Sequence, residues 1–242
     1  MPPDLLEAPA SALLRAAPEK PPVRCALRWR LSTRARRITL RIDPVEGEAV
    51  VTLPSGVGPA AGLALVRRHA AWVVARLEAL APPLRLAAGA AVPLGDVPHP
   101  IEHAPALRGP ARLGEGRILV GGTAEALPRR VLALLRTEAA LRIAPRARRH
   151  AAALSVAPRA IRLKDTRSRW ASCTVNGTLS FSWRLVMAPP WVLDYVVAHE
   201  VAHLREMNHS PRFWAHLARL NPHRAAAQDW LKQHGPRLLR VG

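Results

Sequence analysis

The chain has 242 residues, 49% hydrophobic and 22% charged, a composition that excludes disorder throughout and suffices for one large domain or two small ones. With 36 Lys and Arg against 17 Asp and Glu, its formal charge is +19, a field that favours polyanionic partners such as nucleic acid, with a solvated basic surface as the alternative. Cys25 and Cys173 are the only cysteines, which excludes a disulfide framework or a CxxC metal knuckle and suggests a reducing, cytoplasmic setting.

Residues 1–22 carry six prolines and read as a flexible leader. Their start lacks the basic and apolar regions of a signal peptide. A β-rich amino-terminal part with one helix is expected over 23–122. Within it, Arg36 to Asp43 alternates apolar and polar residues, Pro44 to Gly47 turns the chain, and Ala49 to Leu53 runs back. The uncharged run from Ala49 to Val66 is broken by Pro54, Gly56, Gly58 and Pro59, so no membrane span is expected. Leu63, Val66, Ala70, Val73 and Leu77 recur at helical spacing, which predicts one helix from Pro59 to Leu80. Residues 84–122 read as short strands or loops punctuated by Gly and Pro.

The remainder, 123–242, reads as the functional domain. A helix is expected from Ala126 to about His150, with a break or kink at Pro145. A strand over Ala160 to Lys164, a hairpin over Arg169 to Arg184, and helices over Pro189 to Met207, Pro211 to Leu220 and Ala225 to Gln233 follow. Asn176-Gly177 suits a two-residue type I′ turn. Beyond it Leu179, Phe181 and Trp183 alternate with Thr178, Ser180 and Ser182, predicting one packed and one polar face.

The chemistry-bearing motif is His199-Glu200-Val-Ala-His203. Residues four apart share a helix face, so two imidazoles can grip one metal while the neighbouring carboxylate serves as general base. Its flanks, from Trp191 through Tyr195 and Val196 to Leu204, are apolar, as a buried helix requires. Two third ligands compete: His209, beyond a helix-ending Asn208, and Glu206, three residues after His203. A straight helix rises roughly 10 Å from 199 to 206, whereas metal–ligand bonds are about 2 Å, so geometry favours His209. Tyr195, one turn before His199, offers a hydroxyl for an oxyanion, although packing is its commoner role. His216 and His223 are further candidates, and Phe213 and Trp214 read as anchors for the following helix. Arg162, Lys164, Arg167 and Arg169 form a basic cluster that either holds an anion or guards a strand edge.

Arg169-Trp170-Ala-Ser172-Cys173, Gly177, Trp183-Arg184-Leu185, Pro189, Asp194-Tyr195-Val-Val, HExxH, Asn208-His209-Ser210 and Phe213-Trp214 together resemble the YgjP-like metallopeptidases, relatives of the SprT-like zinc proteases. The sequence departs from that pattern at Ala171 and Ser182, where Gly and Asn are usual. The resemblance implies an α+β fold: a small β-rich part packed on a helical zincin-like domain, with an antiparallel hairpin beside the HExxH helix. It also implies one zinc ion on His199, His203 and His209, and Glu200 as catalytic base. The expected function is a zinc metallopeptidase acting on peptide or protein, with Tyr195, Glu206 and Arg169 as accessory candidates. Two alternatives remain open: a metal-dependent phosphohydrolase acting on nucleotides, and a nucleic-acid-associated protein with structural zinc. No membrane partner is expected, and the sequence does not assign an oligomeric state.

Overall fold

The computed structural model describes residues 8–166 and 169–242. The described residues form six α-helices and three small sheets, a mixed α and β structure. The chain divides into two compact units between Pro82 and Pro83.

In the first unit, β1 (Ser11–Leu14), β2 (Val23–Ser32), β3 (Thr39–Asp43) and β4 (Glu48–Pro54) form a sheet in the order β1-β2-β4-β3. The strands β3 and β4 pair antiparallel, with Leu40 opposite Val51, as the alternation predicts. Cys25, Leu27, Ala49, Val51 and Leu53 bury one face against Val66, Val73 and Val74. Those valines come from two helices, α1 (Pro59–Arg68) and α2 (Ala70–Glu78), where one was expected; the chain breaks at His69, with φ −102° and ψ 23°. At Gly62 a β-carbon would stand 2.6 Å from the Trp29 ring, so glycine permits the close approach of α1 to the sheet. Part of the expected leader is also structured. The strand β1 pairs Ser11 with Ala26 and buries Leu14, because a short apolar run outweighs a proline-rich composition once it finds a sheet edge. Residues 1–7 of that leader lie outside the described residues.

The second unit begins with β5 (Ala91–Leu94), β6 (Val97–His103), β7 (Arg112–Gly114) and β8 (Arg117–Val120), ordered β5-β6-β8-β7. Val92, Leu94, Ile101, Ile118 and Val120 share one core with Val131, Leu135, Ala139 and Ile143 of α3 (Leu127–Ala153). Residues 83–122, grouped by sequence with the amino-terminal part, thus pack in the unit that carries the HExxH motif. Strands of three to seven residues carry little periodic signal, and what assigns them is their contact with a distant helix. The helix α3 continues through Pro145, where a break or kink was expected.

The strands β9 (Ala160–Lys164), β10 (Ala171–Cys173) and β11 (Thr178–Ser182) form a sheet ordered β10-β11-β9. The hairpin of β10 and β11 is antiparallel, as expected, but its turn differs. Gly177 takes φ +78° while Asn176 does not enter the positive region, and the Gly177 N–H donates to Thr174 O at 2.8 Å. A four-residue loop with one glycine therefore replaces the two-residue turn. Nor is the second face of β11 polar and wet: Ser180 and Ser182 are buried beside Leu179 and Phe181.

After a 3-10 turn at Trp183–Met187 come α4 (Pro190–Ala202), α5 (Pro211–Leu220) and α6 (Arg224–Leu239). The helix α5 has its expected bounds. Its Ser210 cap accepts from the Phe213 N–H at 3.3 Å, with Pro211 in the first turn. The helix α4 stops five residues short of the expected Met207 and tightens through Leu204 N–H to Val201 O (3.0 Å) and Arg205 N–H to Ala202 O (3.0 Å). The fully buried Arg184 donates to Val241 O at 3.0 and 3.2 Å and pairs with Asp165, pinning Val241 where it bridges to Leu84.

Asp194 on α4 joins three helices. Its Oδ1 accepts from Arg149 Nη2 at 2.6 Å and His150 Nε2 at 3.0 Å, both on α3, and its Oδ2 accepts from Asn221 Nδ2 at 3.0 Å, at the end of α5. Burial alone would raise this carboxyl, but the hydrogen bonds from His150 and Asn221 outweigh it and hold it below the usual range. A carboxyl depressed in the folded state stabilises above its unfolded value, and that contribution fades as pH falls toward the folded one. Asp194→Asn should therefore lose about 1.5–3 kcal/mol in urea unfolding at pH 7, and the difference should shrink below about pH 4.

Candidate metal centre

The helix α4 is apolar on nearly every side, with Val192, Leu193, Tyr195, Val196, Val197, Ala198, Val201 and Ala202 all buried. His199 and His203 stand one turn apart on it, their ring centroids 5.0 Å apart. The chain turns at the end of α4 and brings back His209, whose ring lies 5.1 Å from His199 and 4.8 Å from His203. One ring nitrogen from each of the three falls within 4.8 Å of the others. Phe213, fully buried on α5, sets its ring against all three at 4.5–4.9 Å. The residue read as a helix anchor thus also forms the apolar backing of the cluster.

The donor set fits a metal ion. His209 Nε2 lies 3.2 Å from His199 Nε2; two nitrogens bound to one tetrahedral zinc at about 2.05 Å are roughly 3.3 Å apart. His203 Nδ1 lies 3.1 Å from the Glu206 carbonyl oxygen, which fixes its tautomer by accepting the Nδ1 proton and leaves the Nε2 lone pair free for a cation. Burial, aided by the other two imidazoles and the Arg224 guanidinium, pulls His199 down to about 4. Burial lowers His203 as well. Both rings are therefore neutral at pH 7, the form that ligates. His199 Nδ1 is buried without a hydrogen-bond partner among the described residues.

Glu200 is buried beside this cluster, and burial raises its carboxyl to about 7 against the opposing pull of Arg169 and the Cys173 backbone N–H. Those two residues belong to the hairpin, whose edge strand β10 packs against α4. Cys173 itself is pushed up to about 11 by burial and by Glu200, so its thiol stays protonated, as a packed side chain would. Tyr195 is buried with its ring 6.0 Å from His199 and hydrogen-bonded to Gln228.

Other sequence candidates lie elsewhere. Glu206 meets the cluster through its carbonyl, not its carboxylate. It lines a polar cavity of about 430 Å³ with Arg205, Arg212, His216 and Arg219, and His216 does not join the three-imidazole group. Its three-residue spacing from His203 does not bring its carboxylate to the cluster, because α4 ends at Ala202 and the chain turns. His223 packs edge-on against Trp191 at 6.2 Å. Arg162 and Lys164 are exposed on the outer strand β9, Arg169 is exposed near Glu200, and Arg167 lies outside the described residues. Sequence reasoning missed Arg224, whose guanidinium carbon sits 3.3 Å from the Trp214 ring centroid. Only contacts between distant segments reveal it.

The family model of the YgjP-like metallopeptidase domain matches residues 36–234. The chain belongs to the YgjP-like metallopeptidase family. The match spans both compact units and assigns the chain a metal-dependent peptidase domain. Among solved structures, the metallopeptidase zymogen abylysin of Pyrococcus abyssi is similar over 38% of this chain and 95% of its own, at 18% identity and a TM-score of 0.35. No curated protein matches the chain significantly. Among the described residues, no helix is long and apolar enough to cross a membrane.

The two third-ligand candidates separate in a metal titration. Glu206→Ala keeps the backbone carbonyl and should bind one equivalent of zinc as the unaltered chain does. His209→Ala should bind it at least tenfold more weakly, as loss of a ligand must exceed the about 10–100-fold cost of losing an outer contact.

Proposed function

We propose that this chain is a zinc-dependent peptidase in which His199, His203 and His209 hold one ion and Glu200 is the general base. The observation that carries this reading is the convergence of three imidazoles beside a buried carboxyl raised to about 7, the range in which a general base works best at neutral pH. Three protein ligands leave a tetrahedral ion one open position, whereas structural zinc closes with four. Among the described residues no fourth ligand joins the group. When bound, zinc would supply Lewis acidity and lower the pKa of a water to about 7.

Glu200 takes a proton from the attacking water at its carboxylate and returns it to the leaving amine. Because burial disfavours its charge, the proton moves without a large energy gap in either direction. Arg169 and the Cys173 N–H hold the carboxylate in place and keep it from rising further. Tyr195, with its hydroxyl tied to Gln228, supports the wall behind His199; its proposed part is orientation. The strand β10 is an outer strand, so an extended peptide can add alongside it through main-chain hydrogen bonds. That fits a peptide or protein substrate.

Glu200→Gln should retain one zinc and lose about 10²–10⁴-fold in peptide hydrolysis. In the unaltered enzyme, kcat/KM should fall as pH drops below a midpoint at or under 7, since a bound dication lowers the carboxyl further. Undiminished hydrolysis by the Gln variant would remove Glu200 from the chemistry.

A further inference from the structure

His209 is the ligand with the least local support. It lies beyond the end of α4, is exposed, and among the described residues its one hydrogen-bonding contact is that between its Nε2 and His199 Nε2. His203, by contrast, is oriented by the Glu206 carbonyl. What touches the His209 ring is aromatic. Trp214 stacks on it with centroids 5.3 Å apart and planes 19° apart, and Phe213 meets it edge-on at 4.7 Å. The indole is held in turn by Arg224, whose guanidinium carbon is 3.3 Å from its centroid. No carboxylate pairs with Arg224 among the described residues, so the ring face is its partner, a contact that needs no counter-ion.

Arg224 is itself tied to the helix that bears the other ligands. It opens α6 directly after His223, whose N–H donates to Asn221 Oδ1 at 2.9 Å. Asn221 Nδ2 donates to Asp194 Oδ2 at 3.0 Å, and Asp194 lies five residues before His199 on α4. A continuous path therefore runs from α4 through Asn221 and the start of α6 to Arg224, Trp214 and His209.

We propose that Arg224 and Trp214 are positioning residues that hold the His209 imidazole in register with His199 and His203, so that metal affinity depends on a cation stacked on an indole. The proposal rests on the three-imidazole reading of the centre. Its test is zinc affinity of the full chain by chelator competition, beside the thermal midpoint of the metal-free protein. Arg224→Gln should bind zinc about tenfold more weakly, the lower end of what an outer contact is worth. Arg224→Lys should fall between, keeping the charge but losing the planar stack. Trp214→Leu should lose at least as much as Arg224→Gln, and Trp214→Phe should recover most of it. Arg219→Gln, on α5 with Trp214 but lining the polar cavity, should bind as the parent does. Because Arg224 is exposed, its Gln variant should keep the metal-free midpoint.

Wild-type affinity in Arg224→Gln, an equal loss in Arg219→Gln, or a loss matched by a lower metal-free midpoint would overturn the proposal. If the parent chain itself takes up no zinc, the three-imidazole reading fails, and this one with it.

Discussion

A helix buried on nearly every side carries its polar side chains into a medium where each must find a partner or change its charge state. The helix α4 is in that position. Its valines and leucine each bury apolar area worth up to about 3 kcal/mol, and this gain draws Asp194, His199 and Glu200 inside with them. Asp194 is answered by donors from α3 and from the end of α5, so one carboxylate sets the relative placement of three helices. His199 and Glu200 are answered differently: burial makes the imidazole a weak base and the carboxyl a weak acid.

Those two shifts are what a metal site and a general base require. An imidazole that resists protonation keeps its lone pair for a cation, and a carboxyl near 7 can both accept and return a proton at neutral pH. The apolar shell of Phe213, Tyr195 and the α4 valines therefore packs the core and tunes the site at once. The hairpin adds the remaining control. Its edge strand brings the Cys173 N–H to Glu200, and the segment just before that strand brings the Arg169 charge, which together limit how far burial can push that group.

The sequence discloses what depends on short spacing. The HExxH pair, the Ser210 cap with Pro211, the bounds of α5, and the β3–β4 and β10–β11 pairings all rest on residues a few positions apart. What it hides depends on distant partners. The link from Asp194 to His150 spans 44 residues, and no local pattern announces it. Ser180 and Ser182 look like a solvent face by alternation, yet β11 is the central strand of its sheet, and both are covered. The turn at Gly177 needed one left-handed residue where the dipeptide suggested two. Glu206 competed as a ligand on spacing alone; the chain turns after Ala202, and it is the Glu206 carbonyl that meets His203. The strands between residues 91 and 120 joined the second unit through side chains that meet α3.

The chemistry of the site turns on where a cation sits. The direct measurement is anomalous diffraction at the zinc absorption edge on crystals of zinc-loaded protein. It should give one peak about 2.0–2.1 Å from a nitrogen of each of residues 199, 203 and 209, with no carboxylate or thiolate from the chain in contact. A peak bound by the Glu206 carboxylate or the Cys173 sulfur, or the absence of density among the three rings, would contradict it.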